Sequence, residues 1–385
     1  MRKTIWLTGI LLLLTALPLP AQIGKIVPIK AGTPEDRAVT EINAATDPAQ
    51  QLALIDKFAA DFGTGDMAIV ADDLYVNHYI AAKNFPKAFE YGAKLWALDP
   101  DNFANGVNML RAAAELGDEA KLFDYGDKTG AIVQRFKAQP APEGTTAQDW
   151  AQQKEQALDG IHDNLAWVER TLFLASYNKK DPAARAAALL RFVASFPSSS
   201  LAAQAQEIAA SSYRQAQQTA KMLDVANKLL EKDPDNRAML LLLADYYSEK
   251  GEQLEKAATS ATRVVELTGK AVKPEGMTDE QWSQQIQLEK GLALSALGQV
   301  NIQKKDNAKA VENFQAAAPL LKSNPDMYAR NQYRLGFALL NLRKTAEGKA
   351  VLEEVAATAN PYQTLAQQKL KSLASAPGRA PARKP

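Results

Sequence analysis

Cysteine is absent from the 385-residue chain, which excludes disulfides, a thiol nucleophile and a thiolate metal site. Only two histidines occur, His78 and His162, far apart in sequence. An excess of either charge is lacking too: 45 Lys+Arg face 44 Asp+Glu. That balance gives no electrostatic reason to expect nucleic acid or an anionic membrane as the main partner. Runs of β-branched residues are scarce, whereas alanine, leucine, glutamine and lysine dominate, a composition that favours helix nearly throughout. No glycine-rich phosphate loop, nucleophile elbow or acidic metal cluster is present. No catalytic residue, metal or cofactor is therefore expected, and the chain is not expected to be an enzyme.

What is present begins with a targeting segment. Arg2 and Lys3 precede an apolar run from Ile5 to Leu17, too short to span a bilayer and of the length of a signal-peptide core. Pro18 and Pro20 break the run, and Ala21 is a small residue suited to precede a cut. Residues 1–21 read as a signal peptide, and the chain as periplasmic or secreted. No cysteine follows the cut, so a lipid anchor there is not expected, nor is stable membrane insertion after the signal is removed. Loss of Arg2 and Lys3 moves the formal charge from +1 to −1, still near neutral.

The stretch from Ile80 to Asn102 then sets the pattern. Asn84 marks a turn, and Pro86 sits in the first helical turn, where its missing N–H has no intrahelical partner anyway. Ala88, Gly92 and Leu95 recur at i, i+4 and i+7 on one face, two of them small enough for close helix approach. Asp99-Pro100-Asp101-Asn102 ends the helix, because proline disfavours helix in the residue before it. The same four residues return at Asp233 to Asn236. Turn and face signals recur with one period in segments 69–102, 103–136, 166–199, 203–236, from Arg237, 291–325 and from Ala329. Examples are Leu116-Gly117, Leu297-Gly298 with Ala310 and Phe314, and Leu335-Gly336. This pattern resembles the tetratricopeptide repeat (TPR) family. The resemblance implies an all-α fold, a right-handed superhelical solenoid of helix pairs that each bury an apolar face against the next.

The expected organisation is an extended lead-in over 22–33 and a solenoid over 34–373, with a degenerate first pair. Insertions fall near 136–165 and 268–279, and a disordered tail covers 374–385. The insertions carry AQPAPEGTT and TGKAVKPEGMTD. Long helices are expected after them, from Asp149 and from Glu280, the second opened by a capping box at Thr278 to Gln281. Residues Tyr362 to Leu373 read as a capping helix.

Few residues invite chemistry. His78 near Asp72 and Asp73 is expected to be a packed histidine, and His162 with Asp163 structural, since adjacent residues on a helix point apart. Ser198-Ser199-Ser200 is expected to cap a helix, and Tyr246, Tyr247 and Trp96 to pack in the core. Some TPR domains clamp a C-terminal carboxylate with a lysine four residues before an asparagine. Asn77 stands at the asparagine place, but Asp73 replaces the lysine. Glu207, Leu241, Ser295 and Tyr333 hold the equivalent lysine places, so that clamp is not expected.

The resemblance instead implies a scaffold of the cell envelope, with a groove lined by first helices that holds a protein or peptide partner. An envelope assembly factor for outer-membrane or peptidoglycan machinery is one alternative. A glycan-binding uptake component is another, although such receptors generally begin with a lipidated cysteine. Partner-binding positions are expected at Asp73, Asn77, Arg330, Tyr333 and Phe337, marking the ends of one trough. The competing expectation for Tyr333 and Phe337 is burial against the C-terminal helix.

Overall fold

The computed structural model describes residues 23–375, so the segment expected to be a signal peptide and nearly all of the expected tail lie outside the described residues. The described residues form eighteen α-helices and no strand. They divide into two compact units, one made of residues up to 180 with 187–205, the other of 181–186 with 206 onward.

The first unit holds α1 (Pro34–Ala44), α2 (Pro48–Phe62), α3 (Met67–Ala81) and α4 (Phe85–Leu98). It continues with α5 (Phe103–Leu116), α6 (Glu119–Ala138), α7 (Ala147–Asp159), α8 (His162–Tyr177) and most of α9 (Pro182–Ser195). Most of α10 (Ala202–Gln215) belongs to the second unit, followed by α11 (Thr219–Lys232), α12 (Arg237–Lys250) and α13 (Leu254–Thr268). There follow α14 (Asp279–Gln303), α15 (Asn307–Leu321), α16 (Pro325–Asn341), α17 (Thr345–Ala357) and α18 (Gln363–Ala374). The protein is thus an all-α helical repeat. Within each unit successive helices pack together, as α1 with α2, α3 with α4, α12 with α13 and α16 with α17. Successive first helices touch, as α3 with α5, α12 with α14 and α14 with α16.

One turn recurs within the pairs. Lys83, Gly117, Gln217, Gly251, Lys305 and Arg343 all adopt left-handed φ, between 55° and 71°. In each case the following N–H reaches back five residues, as Asn84 to the Tyr79 carbonyl at 2.8 Å and Lys344 to the Leu339 carbonyl at 3.0 Å. That is the αL helix end that satisfies otherwise orphaned carbonyls. Turns between pairs repeat as well. Asp99 and Asp233 each accept the N–H two residues on, while Asn102 and Asn236 cap the next helices. Arg135 then pairs with Asp101 and Arg263 with Asp235, both at 2.7 Å.

Close contact explains the small residues. Ala88 is fully buried, and a Cβ on Gly92 would collide with the Met109 thioether of α5. Ala88→Leu is expected to overpack this contact and destabilise by about 1–3 kcal/mol. The exposed Lys87→Ala should leave the chemical denaturation midpoint unchanged. Equal midpoints for the two variants would overturn this placement of the face.

Three expectations are corrected. The insertion near 136–165 is mostly helical: α6 runs to Ala138, and no single long helix follows from Asp149, because the chain breaks at Gly160 and Ile161. Glycine is costly inside a helix. In addition, α7 is tied to the end of α6, where Trp150 Nε1 donates to the Gln139 carbonyl at 3.0 Å and Lys154 Nζ to the Lys137 carbonyl at 2.8 Å. The second insertion does lead into one long helix, α14, opened by the reciprocal Thr278–Gln281 capping box. The tail boundary moves, because α18 includes Ala374. Finally, His162 and Asp163 do meet, at 3.3 Å, in the exposed first turn of α8.

Candidate functional site

In the first unit, Asp73 and Asn77 share one face of α3. Asn77 Nδ2 donates to Asp73 at 3.0 Å, and Asn108 of α5 donates to Asn77 Oδ1 at 3.2 Å. Burial raises the Asp73 carboxyl above its ordinary range, against the opposing hydrogen bond from Asn77. This face is not bare. Ile23, Lys25 and Val27 of the lead-in line a cleft together with Ile69, Val70 and Asp73. The Lys25 N–H donates to Asp99 Oδ2 at 2.9 Å, its Nζ reaches the Leu98 carbonyl, and Val27 joins the apolar cluster of Ile69, Val76 and Met109. Gly24 makes the approach possible with φ of +80°, since a Cβ there would come 2.9 Å from Asp99 Oδ2. The side of unit 1 facing Asp73 thus already holds a length of extended chain. His78 is buried and meets Gln51 Oε1 at 2.7 Å, so it is a packed histidine with a neutral partner.

The second unit presents an open cleft instead. Side chains of α10, α12, α14 and α16 line about 430 Å³, among them Leu241, Leu242, Leu292 and Met327. Charge gathers on its floor. Arg214 donates to Asp245 at 2.7 Å and to Glu249 at 2.8 Å. Arg330 reaches Asp245 at 3.1 Å and Glu249 at 3.4 Å, and Arg334 reaches Glu249 at 3.0 Å. Nearby Glu289 is already matched by Arg237 at 2.6 Å. Geometry on single helices prepares this. Asp245 and Glu249 are four apart on α12, and Arg330 and Arg334 are four apart on α16, so each pair projects from one face.

Electrostatics follow from the crowding. Burial pushes the Asp245 carboxyl up, but Arg330, Arg214 and Arg334 outweigh it and hold the group below its ordinary range. Burial pulls Arg330 down while Asp245 outweighs it, so that guanidinium stays above its ordinary value. Arg334 goes the other way. Burial and then the like charge of Arg330 lower it, and the two carboxylates do not make up the difference.

Of the expected partner-binding residues, Arg330, Tyr333 and Phe337 fall together on α16, but in different roles. Arg330 is buried within the charge cluster. Tyr333 packs on Tyr362 with ring centroids 5.6 Å apart, beside Leu352, Val355 and Ala366, as expected of capping by the C-terminal segment. Phe337 is 37% exposed, with Lys369 Nζ 4.7 Å from its ring centre. Tyr333 and Phe337 also edge a cleft of about 310 Å³ with Gln299, Ile302, Arg334 and Tyr362. Arg214, Asp245, Glu249 and Arg334 were not foreseen. The available signal was the four-residue spacing of acids on one first helix and arginines on another. Among the described residues no group of His, Asp and Glu could hold a metal ion, and no helix is long and apolar enough to cross a membrane.

No family model and no curated protein matches the sequence. Solved structures do resemble it. The yeast Tom70 crystal structure aligns at TM-score 0.31 and 12% identity, over 88% of this chain and 94% of that one. The APC/C hetero-tetramer Cut9-Hcn1 aligns at 0.30 and 12%, over 89% and 90%. The P58(IPK) TPR domain aligns at 0.24 and 13%, over 89% and 100%. At these values the likeness carries no functional argument, and the repeat assignment rests on the helix pairs themselves.

Proposed function

We propose that the protein is a non-enzymatic, exported scaffold that binds a protein partner in the first-helix cleft of its second unit. The observation that carries this reading is the open, leucine-lined cleft over α10, α12, α14 and α16 with charged groups on its floor. An extended chain suits such a surface. Apolar walls take alternate side chains, and floor charges fix register. Export rests on the signal-like segment 1–21, and the cell envelope is the proposed location.

A photo-crosslinking amino acid at Leu241, on the cleft, tests the reading against one at Lys256, exposed on the second helix α13. Expressed in cells, the Leu241 probe is expected to trap a discrete protein partner that the Lys256 probe does not. Equal trapping at both, or none at Leu241, overturns the cleft assignment. The intact mass of the recovered protein checks export in the same experiment. It should correspond to a chain beginning at Gln22, and full-length protein would exclude cleavage.

A further inference from the structure

We propose that the cleft edged by Tyr333, Phe337 and Tyr362 receives a carboxylate side chain of the partner, and that Arg334 is the group that meets it. The inference rests on the scaffold reading and names the chemistry that the scaffold selects.

The charge cluster of the second unit lacks a counterion. Three guanidiniums, Arg214, Arg330 and Arg334, converge on two carboxylates, Asp245 and Glu249. The next carboxylate along the cleft, Glu289, is taken by Arg237. One positive charge is therefore left over in a largely buried cluster. The Arg334 side chain is only 12% exposed, its one ion pair is with the shared Glu249, and its Nη1 is buried without a hydrogen-bond partner. A buried, underpaired charge opposes folding. Removal of Arg334 would still leave Glu249 paired with Arg214 and Arg330, so the fold has little to lose by it. A group kept in that condition is poised for a ligand that completes it.

The surroundings narrow the ligand's chemistry. Arg334 opens on the cleft whose walls are Ile302, Tyr333, Phe337 and Tyr362, with the Gln299 amide as a further polar group. Lys369 stands over the exposed Phe337 ring at the rim and adds a second cation. A guanidinium edge matches a planar carboxylate, and aromatic walls suit the apolar stem and neighbours of an acidic residue in an extended chain. With that carboxylate in place, three anions would face three arginines.

The probes are two blocked hexapeptides, one alternating leucine with glutamate and the other alternating leucine with glutamine. Both are titrated calorimetrically into the full chain. The glutamate peptide is expected to bind at least tenfold more tightly, with the advantage shrinking as salt is raised. In Arg334→Gln the advantage should fall below twofold, while the denaturation midpoint stays equal to wild type or rises. Arg334→Lys keeps the charge and should keep most of the preference, which controls for disturbed packing. Equal affinities for the two peptides in the wild type, or a preference that survives Arg334→Gln, overturn the inference. Binding of neither peptide overturns it as well, and the scaffold reading then stands or falls on the Leu241 crosslink alone.

Discussion

Asp245→Asn is expected to destabilise the second unit by about 3–5 kcal/mol, the usual cost of removing one partner from a buried ion pair. The change leaves Arg214, Arg330 and Arg334 facing Glu249 alone. Hydrogen exchange of peptides covering α12 and α16 should report the loss directly, together with a lower denaturation midpoint. The effect carries a pH signature. Asp245 titrates below its ordinary range in the folded chain. Its contribution is therefore complete above the unfolded value of about 3.9. As pH falls past that value the unfolded chain takes up the proton first, and the contribution is lost as pH approaches the folded value. Wild type and Asp245→Asn should differ by a constant amount above pH 5 and converge below about pH 4. A gap that persists unchanged into acid would show that packing, and not charge, holds this site.

The cluster is expected to have two opposite sensitivities. Taking away an anion should destabilise strongly, whereas taking away the surplus cation should not. A purely structural salt-bridge network would lose stability from either side. An arginine whose removal is tolerated by the fold but felt by the ligand is the expected trade between stability and binding.

The repeat itself was legible because its signals are local. Proline and asparagine at Asp99–Asn102 and Asp233–Asn236 act on their own backbone, and Leu116-Gly117 announces a left-handed helix end. Four of the six equivalent turns lack glycine, at Lys83, Gln217, Lys305 and Arg343, and of these only the first was marked, by Asn84. There the packing of two helices imposes a backbone that the residue alone would avoid. The break at Gly160 and Ile161 was missed for a similar reason. The pull on α7 comes from carbonyls at the end of α6, eleven or more residues upstream of the donors Trp150 and Lys154. The charge cluster was the least legible feature. Arg330 and Asp245 are 85 residues apart, and only the stacking of first helices turns them toward each other. Arg330, Tyr333 and Phe337 were readable as one helical face, but which of them the C-terminal helix would cover was not written in their spacing.

The second large effect is expected in the core between α14 and α15. Phe314 is wholly buried, packed with Ala310, Leu335, Ala338 and Leu339, and its carbonyl accepts a hydrogen bond from Asn331 at 2.9 Å. Phe314→Ala should destabilise by about 3–5 kcal/mol through lost burial and the cavity left behind. Directly opposite lies Gly298, where a Cβ would come 2.6–2.8 Å from three ring carbons of Phe314. Gly298→Ala alone should therefore cost about 1–3 kcal/mol by overpacking, despite alanine's better helix propensity. The two positions are predicted to be coupled. Phe314→Leu shortens the group that the new methyl strikes, so Gly298→Ala in the Phe314→Leu background should cost less than it does in the wild type. The expected coupling is about 0.5–3 kcal/mol in favour of the double variant, within the range measured for residues in contact. Denaturation midpoints of the four proteins close the cycle, and hydrogen exchange over α14 and α15 locates the change. Additivity within about 0.5 kcal/mol would mean that the ring does not set the spacing of these helices. Coupling of the predicted sign would identify the Leu297-Gly298 and Phe314 positions as one steric pair, the glycine small because the phenylalanine is large.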